Sequence, residues 1–495
     1  MTPLRAMESN RDVPLIALLD CLQDPVVEGD ARQSIAAIAT DSRRVSAGAL
    51  FVALPGEHTD GHRYLDDAIS RGARAVVVEH PSRFATQGAA VVRVGDTRRA
   101  LSAISSAFYG HPSKALDVVG VTGTNGKTTI THMIAAIFNG AGTPCGVLGT
   151  VGAHYAEQHW VLRNTTPLPP ELHGVLAEMR DAGVKAVAME VSSHALALHR
   201  VDDVRFFAAA FSNLTRDHLD FHETLHAYRA AKRRLFDMTR RCVLNLDDDT
   251  GAQWATELQG QGREVVTYGM RPDAALHPNE VTTTTSGSRF TVEGRSFELR
   301  LPGRFNISNA LAAIAVARMH GIGDECSAQA LAALERVAGR MERIAALGFD
   351  VVIDYAHTPD ALSNALSALR ETTAGKVAVV FGCGGDRDRG KRPEMGAVAA
   401  RLADRIYLTN DNPRTEEPSS ILRDIRTGIP EPSAPVVEEP DRRRAIERAI
   451  SEARAGDVVL VAGKGHETYQ IVGDRVDEFD DAAIARAILA QLPVR

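Results

Sequence analysis

Short runs of aliphatic and β-branched residues recur along the chain and alternate with segments whose apolar residues fall at helical spacing. Continuous apolar runs belong to strands buried on both faces, and their alternation with helices predicts parallel βαβ architecture. In the first hundred residues the pattern predicts strands near 35–40, 50–56, 75–79 and 91–94, with helices near 63–71 and 97–108. Gly110-His111-Pro112-Ser113 then breaks the pattern and reads as a linker.

A second α/β series begins at LDVVGVTG and runs through AVAMEVS (186–192), FAAAFSNL (207–214) and CVLNLD (242–247). Segment 281–301 differs: its threonine-rich alternation predicts an antiparallel meander closed by Leu301-Pro302-Gly303, with a helix from Asn306 to about His320 after it. Beyond a break near Gly339 the alternation resumes, with DVVIDYA, VAVVFGCGG, RIYLTND and DVVLVAGKG as strands and helices from Pro359, near 394–403, 418–427 and 440–453. The expectation is an α/β protein of three domains: a smaller N-terminal α/β domain (1–110), a central parallel sheet binding a mononucleotide through a P-loop (111–338), and a Rossmann-like C-terminal α/β domain (339–495).

The length of 495 residues agrees, since roughly 150 residues per domain gives about three. An apolar fraction of 44% with 24% charged residues excludes a disordered or fibrous chain. The formal net charge of −7 argues against a nucleic-acid-coating surface. No apolar run reaches the ~18 residues that span a bilayer, and MTPLRAMESNRD lacks the apolar core of a signal peptide, so no membrane association and a cytoplasmic location are expected. Cys21, Cys145, Cys242, Cys326 and Cys383 are scattered without metal-ligand spacing and read as reduced thiols.

Chemistry enters at Thr122-Gly123-Thr124-Asn125-Gly126-Lys127-Thr128, between the strand VVGVTG and the helix TTITHMIAAIF. A glycine-rich turn lets backbone N–H groups converge on phosphate oxygens at a helix N-terminus, with Lys127 to neutralise the β/γ-phosphates and the Thr128 hydroxyl to ligate Mg²⁺. The loop is GxxGKT rather than the commoner GxxxxGK[ST], and ATP is favoured over GTP because no guanine-reading NKxD follows. Glu190 closes an apolar strand, where open α/β sheets bind ligands, and its carboxylate suits a hard cation. Asn213 to His222 carries two Asp and two His in six residues without the HExxH zinc pattern. In Tyr228-Arg229-Ala230-Ala231-Lys232-Arg233-Arg234, composition alone makes Lys232 one member of a solvated basic face.

The segments GTNGKTT, MEVSSHAL, NLTRDHLDFH, YRAAK, LPGRFNISNALAA, GRMER, DYAHTP, GCGGDRDRGKR, DNPRTEEP and GKGHE follow one another over residues 120–470. In this order they resemble the Mur ligase family, ATP-dependent amino-acid ligases of peptidoglycan synthesis, and within it the diaminopimelate-adding branch. The resemblance implies that Lys232 is carbamylated to N6-carboxylysine, reversing the solvated-face reading. It assigns one Mg²⁺ to Thr128 and Glu190, a second to His218 and Lys232, and nucleotide contacts to Asn309, Arg340 and Asp354. The uridine nucleotide is expected on Thr40, Ser42, Glu57, His58 and Thr59, and the muramoyl-dipeptide on Asn164, Thr165, Thr166, Ser192 and Arg200. Where relatives carry Gln six residues after the Ser192 position this chain has Leu198, which cannot make that hydrogen bond.

The implied reaction activates the D-glutamate γ-carboxylate of UDP-N-acetylmuramoyl-L-Ala-D-Glu with ATP as an acyl phosphate, which the amine of meso-2,6-diaminopimelate then attacks; Lys127, Glu190, His218 and Lys232 are the expected catalytic set. The amino acid is expected on Arg387, Asp411, Asn412, Pro413, Arg414, Gly463 and Glu467. Diaminopimelate differs from lysine by a second carboxylate, which a guanidinium binds with two parallel hydrogen bonds. Lysine-adding relatives typically show DDPN, so DNPR with Arg414 favours diaminopimelate and Glu467 suits the distal ammonium. A lysine-adding ligase or a folylpolyglutamate-synthase-like ligase are the alternatives, and a monomer with only small-molecule partners is expected.

Overall fold

The computed structural model describes residues 12–56, 59–80, 86, 88–346, 348–431 and 434–491. Four larger sheets account for most of the strands. The first has five, in the order 26–28, 90–93, 75–78, 49–52, 37–39, and is parallel except at its first strand. Leu50, Val52, Val77 and Val92 are buried on one face with the helix 97–108, while Phe51, Val76 and Val78 are buried on the other. Burial on both faces is why these strands read as unbroken apolar runs.

The second sheet has eight strands, in the order 158–160, 152–155, 145–149, 186–190, 117–122, 206–211, 241–245, 264–268. Its parallel part places Asp117–Thr122 beside Ala186–Glu190 in register, so the phosphate loop follows the carboxyl end of one strand and Glu190 ends the other. A three-stranded antiparallel sheet covers 279–284, 287–292 and 295–299, as the threonine-rich alternation predicts. The fourth sheet has six strands, in the order 342–345, 350–354, 458–462, 377–381, 405–408, 436–438, parallel except at 342–345.

By contacts the chain forms two compact units, one of residues 1–122, 142–210 and 231–242, the other of 123–141, 211–230 and 243–495. The linker motif is a left-handed His111 (φ 50) followed by the 3₁₀ turn Pro112–Lys114. The pattern missed the helices Pro169–Asp181, Asp249–Gly260, Asp324–Ala333 and Asp481–Leu489 and the hairpin of Tyr469–Val472 with Arg475–Glu478. No described helix is long and apolar enough to cross a membrane, and all five cysteines are free thiols.

Candidate functional site

In the second unit the phosphate loop is built as the sequence requires. Gly126, at the start of the helix Lys127–Gly140, has φ 87, a left-handed backbone that favours glycine. A Cβ there would come 2.5 Å from Asn309 Oδ1, so the loop lies directly against the helix Arg304–Met319. Lys127 Nζ donates to the loop carbonyls of Gly123 and Thr124 at 3.0 and 2.9 Å. The loop is braced by Asn213: Thr124 N–H donates to its carbonyl (2.8 Å) and Asn125 N–H to its Oδ1 (2.9 Å). Asn125 Nδ2 donates to Asp360 (2.8 Å).

Arg340 joins this loop, with Nη2 donating to the Thr128 hydroxyl at 2.8 Å and its guanidinium 4.5 Å from the centre of the Tyr355 ring. Arg340 Nε is buried without a hydrogen-bond partner among the described residues, a donor that a nucleotide oxygen would satisfy. Asp354 accepts from the N–H groups of Met341 (2.7 Å) and Ala356 (2.9 Å), so it fixes the Arg340–Met341 turn; burial pushes its carboxyl up, with Arg340 opposing.

Beside the loop stands a charged cluster that the motif reading only partly named. His218 Nε2 is 3.3 Å and His357 Nε2 4.0 Å from Asp217 Oδ2. Burial would raise the Asp217 carboxyl, but His218, His357 and the buried Lys391 outweigh it and hold it at about 2. Tyr228, in the helix of Lys232, has its hydroxyl 3.2 Å from Thr124 Oγ1. Asp217, His357 and Lys391 lie in quoted motifs, TRDH, DYAH and RGKR, yet only their convergence marks them.

In the first unit Glu190 is 1% exposed, its Oε1 accepting from Thr150 N–H and its Oε2 from the Thr150 hydroxyl, both at 2.9 Å. Among the described residues no Lys or Arg pairs with it. A buried carboxylate held only by neutral donors leaves its charge for a bound cation, which fits Mg²⁺. A chain of hydrogen bonds links it to the predicted dipeptide contacts. The Thr150 hydroxyl is 3.1 Å from that of Thr165, the Thr166 hydroxyl donates to Glu190 O (2.9 Å), Ser192 N–H donates to Thr166 Oγ1 (3.0 Å), and Arg200 Nη1 donates to Thr166 O (2.9 Å). Arg200 Nε is buried and has no hydrogen-bond partner among the described residues. Ser192 also caps the helix Ser193–Ala197, and Asn164 is exposed.

Thr40 and Ser42 follow the strand Ala37–Ala39, and Thr59 follows Ala49–Val52, the carboxyl ends of two paired parallel strands. Ser42 is buried, and Thr59 Oγ1 is 3.1 Å from the Tyr64 hydroxyl. Glu57 and His58 lie outside the described residues. Lys232 corrects the composition-only reading: it is 1% exposed, on a helix where Arg229 and Arg233 are only partly buried. Burial of this kind is unsuited to a solvated ammonium and is compatible with a modified amine.

The predicted amino-acid residues converge in the second unit. Gly463 has φ 111, and a Cβ there would come 2.6 Å from Asp411 Oδ2. Arg414 adopts a left-handed backbone (φ 52), and its Nη1 donates to Gly385 O at 2.8 Å. It has no carboxylate partner among the described residues. An ideal Cβ on Gly384 would be 2.9 Å from Arg414 Nη1 and 3.8 Å from Arg387 Cγ, so both arginines flank one point of the backbone. Asn412 Nδ2 donates to Glu467 Oε2 at 2.9 Å, and Pro413 is buried between Asn412 and Arg414.

Residues 34–109 match the Mur ligase family catalytic domain, 121–317 the Mur ligase middle domain, and 339–465 the Mur ligase glutamate ligase domain. UDP-N-acetylmuramoyl-L-alanyl-D-glutamate–2,6-diaminopimelate ligase of Gloeobacter violaceus is 45% identical over 92% of this chain and 94% of its own length. The enzyme of the same name from Geobacillus kaustophilus is 44% identical over 96% and 99%. A solved structure of a ligase of that name superposes with a TM-score of 0.68 at 32% identity, covering 97% of this chain and 99% of that one. A folylpolyglutamate synthase of Mycobacterium tuberculosis, solved with ADP and AMPPCP, shares the fold at 16% identity, with a TM-score of 0.62 over 80% of this chain and 96% of its own. The chain belongs to the Mur ligase family.

Proposed function

We propose that this protein is the ATP-dependent ligase that joins meso-2,6-diaminopimelate to the D-glutamate γ-carboxylate of UDP-N-acetylmuramoyl-L-Ala-D-Glu. The observation that carries this reading is Arg414, a guanidinium fixed by one nitrogen on Gly385 O and opposed by no carboxylate of the described chain. An arginine so placed fits a ligand carboxylate, and the second carboxylate of diaminopimelate is what lysine lacks at that end. The names of the Gloeobacter and Geobacillus relatives agree.

Phosphoryl transfer between a carboxylate and a triphosphate requires positioning and charge neutralisation more than covalent help. Lys127 and the loop N–H groups hold the phosphates, while Asn309, Arg340 and Asp354 fix the nucleotide. The γ-carboxylate oxygen bonds to the γ-phosphorus as its bond to ADP breaks. The neutral amine nitrogen then bonds to the acyl carbon and gives up a proton, while the bond from that carbon to the bridging oxygen breaks and phosphate leaves with that oxygen and the proton. By the family resemblance Thr128 and Glu190 would hold one Mg²⁺, and His218 with Lys232 another. Bound there, the ions supply neutralisation of the phosphate charge. Lys232 serves as a carbamate, formed when its neutral amine adds CO₂ and loses a proton.

The uridine end belongs to Thr40, Ser42, Glu57, His58 and Thr59 and the dipeptide to Asn164, Thr165, Thr166, Ser192 and Arg200. This gives a division of labour along the chain into 1–110 for the uridine nucleotide, 111–338 for ATP and 339–495 for the amino acid, in a monomer working in the cytoplasm. The test is a ligation assay with UDP-N-acetylmuramoyl-L-Ala-D-Glu, ATP and Mg²⁺, comparing meso-diaminopimelate with L-lysine. Product with diaminopimelate at a kcat/KM at least about tenfold above lysine is expected; equal use of both refutes the assignment.

A further inference from the structure

Lys464 is 0% exposed, yet nothing in the reading above gives it a task. A buried ammonium is retained only where its protons find partners, and those of Lys464 are specific. Nζ donates to Glu467 Oε2 at 3.1 Å and to Asn412 Oδ1 at 3.1 Å, and lies 5.5 Å from the centre of the Tyr469 ring. Asn412 Oδ1 also accepts from Ile471 N–H (3.0 Å), which fixes the amide so that its Nδ2 points to Glu467 Oε2. Two donors therefore engage Oε2, while among the described residues Oε1 has only a long contact, 3.5 Å from the Tyr355 hydroxyl.

We propose that Lys464 is a positioning residue for the amino-acid pocket: it ties Glu467 Oε2 to Asn412 and thereby turns Glu467 Oε1 outward to receive the distal ammonium of the incoming amino acid. The inference rests on the reading that this pocket binds a diamino acid. A neutral side chain at 464 would leave the Glu467 carboxylate with one donor fewer on Oε2 and free to rotate, and would leave Asn412 Oδ1 with the Ile471 N–H alone. The chain segment that bears these groups is clamped separately by Gln470 Nε2 on Asp411 O (2.7 Å), Arg414 N–H on Ile471 O (3.1 Å) and Gly473 N–H on Arg414 O (2.7 Å). Loss of the Lys464 ammonium therefore leaves the backbone of the pocket held.

Steady-state kinetics on the full chain test this, with each substrate varied while the others saturate. Lys464→Met is expected to raise the diaminopimelate KM about tenfold or more, with kcat and the KM values for ATP and UDP-N-acetylmuramoyl-L-Ala-D-Glu within about twofold of wild type. Lys464→Gln, which keeps a donor for Asn412 at lower volume and charge, should give a smaller rise of the same kind and serves if the Met variant does not fold. In a Glu467→Gln background the Lys464→Met change should add less than about twofold, because a residue acting through Glu467 has nothing left to position. An unchanged diaminopimelate KM, a rise shared by all three substrates, or full additivity with Glu467→Gln overturns the inference while leaving the ligase reading in place. A wild-type protein that does not turn over diaminopimelate overturns both.

Discussion

Arg414 and Lys232 carry the two chemical assertions most exposed to test, one on specificity and one on the metal site. Arg414 keeps an unusual left-handed backbone for a residue with a side chain, and three hydrogen bonds, from its own N–H, to its own carbonyl and from Nη1, hold it there. Arg414→Ala should raise the diaminopimelate KM tenfold or more, about 1–3 kcal/mol for the lost charge-assisted pair, while the ATP KM stays within about twofold. Equal diaminopimelate kinetics in variant and wild type would remove Arg414 from recognition. For Lys232, Lys232→Ala is expected to be nearly inactive and to regain part of its activity with small carboxylic acids in the buffer, since a free carboxylate can occupy the volume of the lost carbamate. Full activity without such rescue refutes the carbamate. The case of Lys232 also shows what sequence composition hides: six of the seven residues 228–234 are basic or small and read as a solvent face, and only the 1% exposure in the folded chain separates this lysine from its basic neighbours.

At the scale of elements, the loops that carry Arg387 and Arg414 are joined by one carboxylate. Glu416 accepts from Asp386 N–H (2.6 Å) and from both Nη atoms of the fully buried Arg392, and Arg389 reaches it at 2.9 Å. The Arg392 guanidinium holds the Glu416 carboxyl at about 2, well below 4.5. Because the folded state favours the charged form, this clamp stabilises fully above about pH 4.5 and is lost as pH falls from there toward 2. Glu416→Gln should therefore be less stable at neutral pH and lose less further stability than wild type between pH 4.5 and 2, measured by urea unfolding at fixed pH; parallel curves would show that the pair contributes nothing over that window. Elements were legible where a run of one period meets a glycine: the strand Asp117–Thr122, the loop 123–126 with the helix Lys127–Gly140 after it, and the antiparallel strands of 279–299 stand where the pattern puts them. The braces of the site were not. Asn213 meets the phosphate loop 88 residues away in sequence, and Lys464 meets Asn412 across 52, and such pairings follow from sheet order rather than from any local periodicity. Thr150 on Glu190 was missed for the same reason.

For the whole molecule the charge balance poses a problem that the folded chain answers locally. A protein of formal net charge −7 must capture a triphosphate and a uridine diphosphate, both anions, together with the two carboxylates of a zwitterionic diamino acid. Long-range attraction cannot supply this, so affinity has to come from cations placed where the anions end. Arg414 has no carboxylate of the described chain beside it, and Arg340 and Arg200 each keep a buried Nε without a partner among the described residues. Unsatisfied buried donors weigh against stability in the free protein and are recovered only when ligand oxygens fill them, which links substrate binding to folding. Ligand occupancy should accordingly raise the melting temperature by mass action, and the nucleotide and amino-acid ends should act at separate cations. The chemistry adds an order to that expectation, because an acyl phosphate is productive only if an amine stands ready. With ATP and UDP-N-acetylmuramoyl-L-Ala-D-Glu alone, phosphate release is predicted to run at no more than about a tenth of its rate with diaminopimelate present. In the Arg414→Ala variant that stimulation should return only at diaminopimelate concentrations about tenfold higher. A phosphate release rate indifferent to diaminopimelate would make the chain a nucleotide-driven switch, and Arg414, which no carboxylate among the described residues neutralises, would then have no substrate to meet.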